Sequence, residues 1–143
     1  MADKNAFFSW KSCMHTNSAS EGTNSEDQAT YHGNVHVITS KQEWQAKLSE
    51  AKTNGKIVVV DFSAAWCGPC IMIAPFYAEL SEKYTKLLFL KVDVDEMADI
   101  SAEWDIQAMP SFVFIKDGKQ IDKQVGANKA ELEKKVKNYA TTA

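Results

Sequence analysis

Residues 57–70 read IVVVDFSAAWCGPC. The stretch opens on β-branched, almost wholly apolar residues, a composition that suits a strand buried on both faces of a sheet. It closes on two cysteines, Cys67 and Cys70, with Gly68 and Pro69 between them. A strand ending near Ser63 and a helix opening at Cys67 put the first cysteine at a helix N-terminus. Free N–H groups and the helix dipole favour negative charge there, lowering a thiol from its reference pKa of about 8.5. The thiolate is the nucleophile, so Cys67 is expected to attack disulfides. Cys70, one turn later and more buried, is expected to resolve the resulting mixed disulfide. Pro69 keeps the first turn rigid; a His in its place would shift the pair toward oxidant, so Gly-Pro reads as a reductant.

Other readings of the pair are weaker. Zinc needs four ligands, and the chain offers only Cys13, His15, His32 and His36 besides the pair, all but His36 within the N-terminal stretch. No metal or cofactor is assigned. A permanent structural disulfide across two residues adds little loop-closure stabilisation.

The rest of the chain sets the context. Its 143 residues allow one domain with some excess. A net charge of -3 argues against a nucleic-acid partner, which requires clustered Lys and Arg. No apolar run approaches the 18 or so residues of an integral membrane segment. The N-terminal MADKNAFFSWKSC lacks the apolar region of a secretory signal, and Ala2 removes the Met-Gly myristoylation pattern. A cytoplasmic location is expected, where a CxxC is catalytic or metal-binding rather than part of a disulfide framework.

Residues 1–33 are rich in Ser, Thr and Asn without apolar periodicity, and are expected to form a disordered extension to a domain over 34–143. From Asn34 strands and helices alternate. VHVI is a short strand, and Ser40 with Glu43 forms a capping box for a helix with Trp44, Leu48 and Ala51 on its apolar face. Asn54-Gly55 ends that helix. The helix after the cysteines runs to about Lys83, with a kink expected at Pro75. LLFLKVDVD is a second buried strand, and Asp95 is expected to cap a short helix reaching about Trp104. Asp117-Gly118 marks a hairpin between SFVFIK and QIDKQVG. A final helix, about Lys129 to Tyr139, carries Leu132, Val136 and Tyr139 on one face. The order βαβαβαββα implies an α/β fold: a mixed sheet with helices on both faces.

Asp61 lies in the apolar run, six residues before Cys67. Burial would raise its pKa and make it a proton acceptor for Cys70; the plainer alternative is a carboxylate satisfied by backbone donors at a strand end. Lys91, on a neighbouring strand, either pairs with Asp61 or is exposed. Asp93, Asp95 and Glu96 read as a strand end plus helix cap rather than a metal loop. Trp44 and Trp104 read as core, whereas Trp66 stands at the mouth of the turn and covers one side of the thiol. Pro110 opens a strand, where it is either cis and facing the cysteine turn or a simple loop proline; in the first case Met109 offers backbone groups to an extended peptide.

The stretches VVDFSAAWCGPC, KVDVDE, AMPSFVFIKDG and VGANKAELEKKV, in that order, resemble thioredoxin, and NVHVITSKQEW is similar to plant h-type members with N-terminal extensions. The resemblance implies a thioredoxin fold with a central five-stranded mixed sheet, strand order 1-3-2-4-5, flanked by four helices. It implies Cys67 as nucleophile, Cys70 as resolving thiol, Asp61 as buried acid and Pro110 as a cis-proline. Trp66, Met109, Val125 and Gly126 would line a substrate groove. Electrons would come from NADPH through thioredoxin reductase, or from glutathione and glutaredoxin. Ile71 stands where relatives usually carry Lys or Arg. The chain therefore reads as a monomeric, cytosolic protein-disulfide reductase acting on disulfide-containing target proteins. A disulfide isomerase or oxidase, and a redox-regulated binding module, are the alternatives.

Cys13 is either a spare thiol or an auxiliary one that pairs transiently with the active-site cysteines or accepts glutathione or a lipid. A flexible segment of about 20 residues spans roughly 25 Å, against a domain radius of gyration near 13 Å.

Overall fold

Alternation of side chains along the strands builds two hydrophobic cores, one on each face of a central sheet. The computed structural model describes residues 32–142. Its strands are β1 (His36–Val37), β2 (Val58–Ser63), β3 (Leu88–Asp93), β4 (Ser111–Lys116) and β5 (Lys119–Val125), in the order β1-β3-β2-β4-β5. The first three are mutually parallel; β4 runs antiparallel to β2, and β5 antiparallel to β4. The helices are α1 (Lys41–Thr53), α2 (Gly68–Lys83), α3 (Ala98–Glu103) and α4 (Lys129–Thr142). This is the expected fold class.

On one face Val58, Val60 and Phe62 pack with Leu90, Val92 and Val113 beneath Trp44 of α1 and Ile100 of α3. On the other, Val59 packs with Phe89, Phe112 and Phe114 beneath Ile73 and Tyr77 of α2 and Leu132 and Val136 of α4. Every residue of β2 is buried, as expected for a strand covered on both sides. By the same alternation Asp61 faces the α2 side, flanked in register by Lys91 of β3 and Phe112 of β4. The central strand thus delivers one carboxylate beneath the helix that begins at the cysteines.

Local signals worked where the partner was also local. Asp117 (φ 53°) and Gly118 (φ 79°) both take left-handed conformations, giving the primed hairpin turn between β4 and β5. The helix α2 continues through Pro75. Ser40 accepts the Glu43 N–H at 3.1 Å. The reciprocal half of the capping box is absent, however: the Glu43 carboxylate takes the Thr39 N–H and hydroxyl and pairs with His36, tying β1 to α1.

Ahead of β1, Gly33 and Asn34 dock against α2. The Asn34 N–H donates to Ser81 Oγ at 2.8 Å, and Nδ2 donates to the Ser81 carbonyl at 3.3 Å. Gly33 has φ +57°, and a Cβ there would meet the Ala78 carbonyl oxygen at 2.5 Å. Only glycine fits this approach.

Candidate active site

Cys67 is the N-cap of α2: its backbone is extended, and its Sγ accepts the Cys70 N–H at 3.3 Å. The Cys67 sulfur therefore already holds one of the free N–H groups of the helix's first turn. Cys67 and Cys70 are joined as a disulfide. Cys67 is 6% exposed and Cys70 3%, so the second sulfur is only slightly the deeper of the two. Gly68 and Pro69 form the first helical positions, where a proline's missing N–H has no helical partner to lose.

One loop reaches the pair directly, and the end of β5 and the turn after β3 adjoin it through that loop and through Trp66. The Met109 carbonyl oxygen lies 3.8 Å from Cys67 Sγ, and the Met109–Pro110 peptide is cis. The Pro110 carbonyl accepts the Gly126 N–H at 2.8 Å, which joins the end of β5 to this loop. Val125, in register with Ser111, leaves its side chain exposed. Trp66 is 57% exposed, and its indole Nε1–H donates to Asp95 Oδ2 at 2.7 Å.

Asp95 therefore does not cap α3. The N-cap is Met97, without a side-chain bond, while Asp93 Oδ1 accepts the N–H groups of Asp95 and Glu96 at 2.8 and 3.2 Å. Asp93 orders the turn, and the turn presents Asp95 to Trp66. Nothing local in the sequence marks this contact, because its partner lies 29 residues away.

Residues 62–78 carry no charged side chain, and Ile71 and Met72 are exposed on α2. This stretch brings no cation to Cys67, whose local electrostatic partners are the helix N–H groups and dipole. Asp61 is fully buried, and neither carboxylate oxygen has a hydrogen-bond partner. Burial pushes its carboxyl up to about 7, opposed by the nearby Lys91 ammonium. Lys91 is half-buried and acts through space. Beside this carboxyl, on the α2 side of the sheet, the buried Tyr77 hydroxyl donates to the Leu90 carbonyl at 2.7 Å and lies 3.0 Å from that of Val59. These carbonyls satisfy the polar tip of a phenol packed against Phe89 and Phe112, a role the sequence reading missed. Cys13 lies outside the described residues.

The arrangement suits thiol–disulfide chemistry: a sulfur at a helix N-terminus, a second sulfur behind it, and a buried carboxyl titrating near neutrality. The thioredoxin family model matches residues 35–138. The chain is 62% identical over 108 residues to thioredoxin H4-2 of Oryza sativa, covering 76% of this chain and 82% of the rice protein. It is 62% identical over 104 residues to a thioredoxin H-type of Populus jackii, covering 73% and 75% of the two chains. The crystal structure of a poplar thioredoxin h mutant superposes with a TM-score of 0.75 at 57% identity, covering 78% of this chain and 86% of that one.

Proposed function

The chain belongs to the thioredoxin family, is a protein-disulfide reductase of the plant h-type, and from that premise we propose that it works by dithiol–disulfide exchange through Cys67 and Cys70. The Cys67 thiolate attacks one sulfur of a target disulfide. The bond electrons leave with the other target sulfur, which takes a proton from water. Asp61 then accepts the Cys70 proton. The Cys70 thiolate attacks Cys67 Sγ and expels the second target sulfur, which is protonated in turn. The target gains two electrons, and the enzyme is left as the Cys67–Cys70 disulfide.

The observation that carries this reading is the Cys67 sulfur holding the Cys70 N–H at the start of α2. It supplies a reason for one sulfur to be the better anion. Trp66, Met109, Pro110, Val125 and Gly126 form the groove in which an extended target segment lies, with Gly68 and Pro69 shaping the turn. Regeneration comes from NADPH through thioredoxin reductase, or from glutathione and glutaredoxin, and Cys13 serves as an auxiliary thiol in the second route. The working form is a cytoplasmic monomer with the chemistry carried by residues 34–143 and no nucleic-acid partner. Among the described residues no helix is long and apolar enough to cross a membrane.

Mass spectrometry on trapped complexes tests the roles. Cys70→Ser is expected to accumulate mixed disulfides on Cys67 with target proteins, because nothing resolves them. Cys67→Ser is expected to lose reduction and to trap nothing. The opposite pattern would reverse the assignment.

A further inference from the structure

Gln124 is the buried residue of a strand that is otherwise exposed or half-buried. It lies on β5 in register with Phe112 of β4 and is 7% exposed. Its Nε2 donates to the Asn128 carbonyl at 3.1 Å and reaches the Gly126 carbonyl at 3.4 Å. Its Oε1 is buried without a partner. Turning the amide over would leave both donors facing nothing and set an oxygen against two carbonyls, so the orientation is fixed by chemistry. A buried amide with half its capacity unmet is less stable than an apolar side chain of the same size. Its gain is therefore in geometry.

That geometry concerns the strand end that lines the groove. Gly126 has φ +104°, a conformation with little intrinsic restraint in glycine. Its N–H is held by the Pro110 carbonyl and its C=O is approached by Gln124. The next carbonyl but one, that of Asn128, is held by the same amide, and the Asn128 side chain accepts the Glu131 N–H at 3.0 Å in the first turn of α4. One side chain thus ties the segment from Gly126 to Asn128 back to β5. Val125, whose side chain is exposed, is the residue immediately before it.

We infer that Gln124 is a positioning residue, fixing the Val125–Gly126 wall beside the Met109–Pro110 loop so that extended protein segments dock there. It acts on docking and leaves the chemistry at sulfur unchanged. Its effect falls on protein disulfides and spares small ones that never reach the wall. The inference rests on the proposed groove, and the experiment separates the two.

Gln124→Met keeps the length and removes both donors. Gln124→Val, a strand-forming residue, serves as a second variant without donors. Second-order rate constants are measured for the reduced full-length protein with a protein disulfide and with oxidised glutathione. Both variants are expected to react with the protein disulfide about tenfold more slowly, the scale of one or two lost hydrogen bonds, and with glutathione at the wild-type rate. Exchange of the Gly126 amide proton is expected to quicken. Gln124→Lys, which restores an N–H donor at similar reach, is expected to recover most of the lost rate. Equal losses on both substrates, or no loss on the protein, would overturn the inference. Val125→Asp in the wild-type background checks the groove itself. If that variant keeps full rate on the protein disulfide, the groove reading falls. If it slows and Gln124→Met does not, only the role of Gln124 falls.

Discussion

Asp61 binds its proton differently in the folded and unfolded chain, and that difference can be measured. An exposed aspartate has its pKa near 3.8, whereas burial raises this one to about 7. Between those values the folded chain keeps a proton that the unfolded chain gives up. The folded state is therefore not penalised below about pH 4, and it loses stability as the pH rises toward and through 7, by a few kcal/mol at most. Asp61→Ala is expected to be more stable than wild type at pH 8 and no more stable at pH 4, in denaturant titrations at the two pH values. The same variant is expected to resolve mixed disulfides more slowly, because the proton acceptor proposed for Cys70 is gone. A variant less stable at pH 8 and equally fast would count against both roles. Lys91 provides a finer check. Its ammonium lowers the Asp61 pKa, so Lys91→Met is expected to move the pH–rate midpoint upward, and an unmoved midpoint would exclude the coupling.

At the scale of elements, what was legible in the sequence divides by whether a pattern admits one outcome or leaves a polar side chain a choice of partners. The strand β2, the start of α2 and the turn at Asp117-Gly118 were readable because their causes are local: an apolar run, a cysteine before Gly-Pro, a pair of residues that tolerate positive φ. The burial of Asp61 was readable for the same reason. The partners chosen by polar side chains were not, whether near in the sequence or far. Asp95 looked like a cap and holds Trp66, and Glu43 turned to Thr39 and His36. Gln124 sits in KQIDKQV, whose polar residues suggest an exposed edge, and its burial depends on the turn into α4. The docking of Gly33 on α2 was likewise invisible. Two glycine substitutions separate these kinds of constraint. Gly118→Ala meets no neighbouring atom and is expected to cost about 1 kcal/mol for the left-handed backbone alone. Gly33→Ala adds a collision with the Ala78 carbonyl, yet the segment can lift away, so its loss is capped at the value of the dock. Thermal unfolding should place it near 1–2 kcal/mol, the worth of two hydrogen bonds. A neutral Gly33→Ala would mean that the dock contributes nothing.

At the scale of the molecule, the five-stranded sheet and its two cores are built from residues 32–142 among the described residues. A chain starting at His32 is therefore expected to fold with the Tm of the full protein and to reduce protein disulfides at the same rate. A chain starting at Val35 loses both bonds from Asn34 to Ser81. Its Tm is expected to fall by roughly 5–10 °C, from about 1–2 kcal/mol in a domain of this size. The pair of truncations also isolates Cys13, which both lack while only one disturbs the dock. If Cys13 takes part in regeneration, the chain from His32 and full-length Cys13→Ser will be re-reduced more slowly by glutathione and glutaredoxin, and at the wild-type rate by NADPH and thioredoxin reductase. The reason is chemical: glutathione must form a mixed disulfide with some sulfur, and Cys67 and Cys70 are both buried in the oxidised pair. An additional thiol offers a second point of entry, from which exchange with the pair completes the transfer. Equal rates in all three proteins with both reducing systems, and no glutathione adduct on Cys13 by mass spectrometry, would leave that residue a spare thiol and Cys67 the sole point of entry.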